Sequence, residues 1–114
     1  MKDAPLTFEI LVAERRQRTI QLSGPVTLTS MFGFQAKLRE LPAADTVVDL
    51  SQVPYVDSAG IGCLMNAYVS SKNAGKRFAL IAANDRVKAV LSHTRVDQVI
   101  PMFATVEESA AAGH

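Results

Sequence analysis

Apolar and polar positions alternate along the first part of the chain. Phe8, Ile10 and Val12 fall on one side and Glu9, Leu11 and Ala13 on the other, which predicts a strand with one favoured buried face. The polar run Glu14-Arg15-Arg16-Gln17 predicts a turn, and Thr19 to Ser23, with Ile20 and Leu22 inward, predicts a second strand. Arg15, Arg16 and Arg18 read as the solvated tip of this hairpin rather than as a basic contact site. Ser23-Gly24-Pro25 ends the second strand, because proline cannot donate to a ladder. Thr29 or Ser30 can cap a helix running to about Leu41, on which Met31, Phe34, Leu38 and Leu41 make one stripe at helical spacing. Phe32 lies about 130° from the middle of that stripe. An exposed ring is therefore expected there, either as part of a partner surface or as a loose edge contact.

Pro42 breaks this helix, and Thr46 to Leu50 shows little alternation, as in a strand covered on both faces. A proline-bearing loop leads to Asp57-Ser58, where a second helix opens with Ile61, Leu64, Met65, Tyr68 and Val69 on one predicted stripe. Gly75 supplies its stop, and Lys72 in the last turn suits the helix dipole. Phe78 to Ala82 is a third apolar strand. Asn84-Asp85 caps a helix that buries Val87, Val90 and Leu91, Val99 to Phe103 is a short edge strand, and Glu107 to Ala112 a closing helix. Strands alternating with helices imply crossovers and an α/β fold: a mixed, mostly parallel sheet of four or five strands flanked by about four helices.

With 114 residues the chain has room for one domain, expected to span 1–114 with an ordered core of about 6–110. A net charge of +1 gives no strong pull toward nucleic acid or an anionic membrane surface. The single cysteine, Cys63, leaves no internal disulfide and suits a reducing cytoplasm. The N-terminus has no apolar segment ending in a cleavage site, and no stretch approaches the ~18–20 apolar residues of a membrane span. The expected location is cytoplasmic, without direct membrane contact.

The motifs of catalysis are missing. Val56 stands where a hydrolase nucleophile elbow needs glycine. His93 sits opposite Val90 on its helix, which makes Ser58–His93–Asp57 a poor triad. Cys63 is isolated in an apolar helix and reads as a packed residue, not a metal ligand. Gly60-Ile61-Gly62 lacks the third glycine of a dinucleotide loop, and Gly75-Lys76 has no phosphate loop around it. The chain is therefore expected not to be an enzyme and to need neither metal nor cofactor. What remains is Ser58 as a substrate for another enzyme. A hydroxyl at a helix N-terminus is well placed to carry a phosphate. Beside Asp57 that phosphate would build a concentrated anionic patch, and Gly60 and Gly62 would let a partner approach the backbone closely. The residues alone allow equally that Ser58 is only an N-cap.

The run TVVDLSQVPYVDSAGIGCL, with its Asp49-Leu50 strand end, loop, Asp-Ser-x-Gly element and apolar helix, resembles the signature of STAS domains. It is most similar to the stand-alone anti-sigma factor antagonists of bacteria. The leading hairpin, RFALIAAN with the helix from Asp85 to Thr94, and the closing strand and helix extend the resemblance over nearly the whole chain.

The resemblance implies a phosphorylation-controlled binding switch. In such proteins the serine of Asp-Ser-x-Gly is phosphorylated by an anti-sigma factor that is itself an ATP-dependent serine kinase. The unphosphorylated antagonist binds that factor and frees a sigma factor for transcription, and a phosphoserine phosphatase resets the phosphorylated form. Carried over by position, Ser58 is the phosphoacceptor. Asp57, Ala59, Gly60, Ile61 and Gly62, with Thr27 and Phe32, are the expected partner-binding residues. Two departures stand out. Gly24-Pro25-Val26-Thr27 replaces the family's short acidic stretch, and Thr94-Arg95-Val96 stands where a glycine turn is usual, a change expected to alter only a loop. The alternative within the same fold is an unphosphorylated docking module of a lipid-trafficking transporter or a signalling scaffold.

Overall fold

The computed structural model describes residues 7–12, 17–28, 30–40 and 44–112. Strand β1 (Thr7–Val12) and strand β2 (Gln17–Ser23) form the expected antiparallel hairpin, with Ile10 opposite Ile20. Helix α1 (Met31–Glu40), strand β3 (Asp45–Gln52), helix α2 (Ser58–Asn73), strand β4 (Phe78–Ile81) and helix α3 (Asp85–His93) follow. Strand β5 (Met102–Phe103) and helix α4 (Val106–Ala112) close the chain. The sheet has five strands in chain order, and β2 to β5 run parallel.

Right-handed crossovers that all step in one direction place α1, α2 and α3 on one face of the sheet. The register agrees. Ile20, Val48, Leu80 and Met102 lie in one cross-strand row, and they share a cluster with Phe34 of α1, Cys63, Leu64 and Ala67 of α2, and Val87 and Leu91 of α3. The row on the other face, Thr19, Val47 and Ala79, is also buried. The unalternating sequence of β3 and β4 is thus explained by cover on both sides, α4 contributing where it packs on β4 and β5.

Phe34 is buried, Met31 and Leu38 pack against the core, and Phe32 is 63% exposed, so the stripe read for α1 is present; Leu41 lies outside the described residues. The stripe read for α2 is rotated. Gly60, Cys63, Leu64 and Ala67 face the sheet, Ile61, Met65 and Tyr68 flank the core, and Val69 is exposed. Small residues let this helix lie close to the sheet around the buried Leu64, whereas Ile61, Met65 and Tyr68, which also carry the periodicity reading, sit on its flanks.

Arg18 also departs from expectation. It lies within β2, half-buried, and its Nε donates to Thr46 Oγ1 at 3.0 Å; burial lowers its pKa. Arg15 and Arg16 lie outside the described residues.

Helix α2 ends as its glycine predicts. Gly75, at φ +73°, donates to Lys72 O (3.0 Å), and Lys76 donates to Ser71 O (2.8 Å), the two bonds of a Schellman motif. The expected edge strand is shorter than its apolar run. After Arg95 the chain makes one 3-10 turn, Val96–Gln98, and the amides of Val99 and Ile100 both donate to Val96 O, so pairing begins only at Met102.

Candidate functional site

The loops that follow β2, β3 and β4 emerge together at the carboxyl edge of the parallel strands, and hydrogen bonds join them. Gly24, at φ 109°, turns the chain out of β2 and donates to Gln52 O (3.0 Å). Val26 then makes an isolated parallel bridge with Val56: its N–H donates to Tyr55 O, and its carbonyl accepts from Asp57 N, both at 3.1 Å. Asn84 joins the third loop, donating from Nδ2 to Val53 O (3.0 Å) while its Oδ1 caps α3 through Val87 N (2.8 Å). The Arg86 guanidinium lies 5.3 Å from the centre of the Tyr55 ring.

Asp57 is the residue on which two of these segments converge. Its extended backbone makes it the N-cap of α2, with Oδ1 accepting from Gly60 N at 2.8 Å. Its other oxygen, Oδ2, accepts from Leu28 N at 3.2 Å, tying the β2–α1 turn to the helix start. The reading of Ser58 as the cap is thereby corrected. Ser58 is the first residue inside the helix and is exposed, so its hydroxyl is not required for capping.

Gly60 is buried, and the space for a side chain is filled by Val26: a Cβ there would run into the Val26 carbonyl, with the carbonyl carbon at 2.8 Å. Gly60 therefore serves close approach between two segments of this chain, a role the sequence reading did not give it. Gly62 is exposed with nothing within 4 Å, so the open backbone read there is present.

The remaining expected contact residues divide by burial. Asp57, Ala59 and Ile61 are half-buried, and Ile61 packs against the core. Thr27 is buried at 6% exposure and lies within a tight turn, unlike the exposed Leu28 beside it. Ser30, expected as a possible helix cap, turns its hydroxyl back into that turn, accepting from Thr27 N and donating to Pro25 O, both at 2.9 Å. Leu28, which the sequence did not single out, is 56% exposed and its backbone N–H donates to Asp57, the residue before Ser58. The only sequence signal for it is an apolar residue set between two threonines in a turn opened by Gly-Pro. Leu28 and Phe32 give this edge two exposed apolar side chains.

The residues tested for chemistry lie elsewhere. His93 is exposed at the last position of α3, the opposite end of that helix from the Asn84 cap. Cys63 is fully buried, and burial pushes its thiol up to about 11 against a smaller opposing effect of a hydrogen bond with Gln35. It lines a cleft of about 350 Å³ between α1 and α2. Among the described residues, no group of three or more His, Cys, Asp or Glu side chains could hold a metal, and no helix is long and apolar enough to cross a membrane.

Comparison with known proteins bears on this arrangement. A protein of Thermotoga neapolitana, provisionally named as an anti-sigma factor antagonist homologue, is 37% identical over 60 residues, 53% of this chain and 53% of its own. The chain thus spans about half the length of the curated relatives it matches. The anti-sigma factor antagonist SpoIIAA in its unphosphorylated form shares the fold with a TM-score of 0.75 at 18% identity, over 91% of this chain and 93% of its own. A sulfate transporter family protein from Wolinella succinogenes does so with a TM-score of 0.77 at 16% identity, over 90% and 88%. The family described as the Mlab STAS domain matches residues 10–103. A match over that much of the chain, on the strand order and loop edge described above, means that the protein belongs to the STAS domain family.

Proposed function

We propose that this chain is an anti-sigma factor antagonist whose partner binding is switched by phosphorylation of Ser58. The observation that carries the reading is the division of roles at the start of α2: Asp57 caps the helix and Ser58 stands exposed beside it. In the unphosphorylated state the chain holds an anti-sigma factor through the edge formed by Leu28, Phe32, Ala59, Ile61 and Gly62, and a sigma factor is left free. The partner is an ATP-dependent serine kinase. Ser58 Oγ attacks the γ-phosphorus of ATP, the bond to the ADP oxygen breaks, and the serine proton leaves. A phosphoserine phosphatase restores the hydroxyl by hydrolysis.

The physical effect lies in charge at a partly apolar surface. A phosphoserine adds about −1.5 to −2 charges at neutral pH. The helix N-terminus favours that charge, so the fold is kept, while an apolar partner surface that must desolvate it is repelled. The chain itself supplies the acceptor and the surface, not the chemistry.

The test is a pull-down from the source organism with Ser58→Ala and Ser58→Asp as baits and identification of the retained proteins by mass spectrometry. A kinase-like anti-sigma factor held by the alanine bait and lost by the aspartate bait is the expected result. Equal retention of a transporter or scaffold by both baits would overturn the switch. That outcome belongs to the second reading, a constitutive docking module, which the fold likeness to a sulfate transporter family protein favours.

A further inference from the structure

We infer that Asp57 is a clasp through which the charge on Ser58 controls the β2–α1 turn, an inference that rests on Ser58 being the phosphoacceptor. Asp57 is a positioning residue in this scheme, because it acts on the partner-facing side chains through Leu28.

The clasp has two unequal halves. Oδ1 holds Gly60 N at 2.8 Å inside the helix start, and Oδ2 holds Leu28 N at 3.2 Å across to the turn. The turn that receives the longer bond carries the exposed Leu28 and leads directly into Phe32. A phosphate on Ser58 would sit one residue from the carboxylate and compete for the N–H groups of the first helical turn. Two anions then share one set of donors, and like charges repel. The half that yields first is the longer, exposed bond to Leu28, since the Gly60 bond also closes the helix cap. Freed from Asp57, the turn no longer presents Leu28 and Phe32 in the arrangement a partner fits. Phosphorylation would thus act twice: as charge on the surface and as release of the segment beside it.

Phosphoserine incorporated at position 58 during synthesis of the full chain tests this without the kinase. Amide exchange measured by NMR on the isolated protein should speed at Leu28 by about tenfold, the effect of losing one bond to a charged acceptor. The sheet amides of Val48 and Leu80 should be unchanged. The unphosphorylated Asp57→Asn variant should show the same loss at Leu28 with an intact helix. Asparagine caps as well as aspartate, but its amide nitrogen cannot accept from an N–H. A Leu28 amide equally protected in the phosphorylated and unphosphorylated chains overturns the clasp, as does full protection in Asp57→Asn. The same phosphorylated chain used as bait judges the switch separately: release of the anti-sigma factor with an unchanged Leu28 amide leaves the switch standing and removes the clasp.

Discussion

Replacing Gly60 by alanine should destabilise the domain although alanine is the better helix former. In an open helix the exchange would gain about 1 kcal/mol. Here the new methyl group meets the Val26 carbonyl, whose carbon lies 2.8 Å from the Cβ position, with Val26 Cγ1 at 3.0 Å. Both groups belong to a segment held in place by the Val26 N–Tyr55 O and Asp57 N–Val26 O bonds, so neither can yield freely. Overpacking of this kind costs about 1–3 kcal/mol, and straining or losing the two bonds adds about 1 kcal/mol each. The net loss is about 2–4 kcal/mol after the helix-propensity gain. For a domain near this size that is a fall of about 10 °C in Tm.

Urea unfolding followed by circular dichroism measures the difference, and Gly62→Ala is the control. Gly62 lies in the same helix, is exposed, and has nothing within 4 Å of the position a methyl group would take. Its exchange should therefore raise stability by up to about 1 kcal/mol. The two exchanges share their chemistry and their helix, which leaves packing on Val26 as the difference in sign. A Gly60→Ala chain as stable as the native one would refute the close approach and the geometry built on it.

Four further outcomes are expected. Ser58→Asp should hold its Tm within a few degrees of the native chain, because an acid is welcome in the first helical turn; a large loss would show Ser58 to be structural. Phe32→Ala, at a position 63% exposed, should leave the urea midpoint almost unchanged while weakening partner retention in the pull-down; a large fall in the midpoint would show the ring to be core. Arg95 adopts φ 64°, and Arg95→Gly should raise stability by up to about 1 kcal/mol, a lowered urea midpoint being the refuting result. Cys63 should resist a thiol reagent at pH 8 until urea is added. Because its thiol is raised from an ordinary 9.0 to about 11, its contribution to stability is complete below pH 9.0 and is lost as pH rises through 11; rapid labelling of the folded chain would contradict its burial.

Much of this fold is legible in the sequence because its signals are local. The alternation of β2, the Phe34 stripe of α1, the Asn84 cap and the Gly75 stop each rest on a few neighbouring residues, and each is present. The errors fall where two readings compete over the same residues. Asp57 and Ser58 are both good caps, and only the backbone decides that the first one caps. In α2 nearly every position from Ala59 to Met65 is apolar, so periodicity cannot choose a face. The stripe of Gly60, Cys63 and Ala67 would have given it, read as the small residues that close helix–sheet contact requires. Thr27 and Gly60 read as surface residues because their burial depends on the β2–α1 turn lying along the β3–α2 loop, a contact between segments about thirty residues apart in sequence. At Arg95 an arginine stands in the left-handed region that favours glycine, a conformation that no residue type in the sequence signals.

On the proposed switch, the separation of Asp57 from Ser58 is what would let this position carry a modifiable residue. If Ser58 were the cap, its modification would change the group that accepts from the helix start, so cap and surface charge would change together. With Asp57 holding Gly60 N, the helix keeps its cap in either state of Ser58. On the proposed switch, an added charge would then act on what surrounds it: the first helical turn, which favours it, and the Leu28 bond, which would compete with it. A helix start built from two adjacent cap-capable residues, one engaged and one exposed, therefore allows charge to change at the surface without a matching loss in the core.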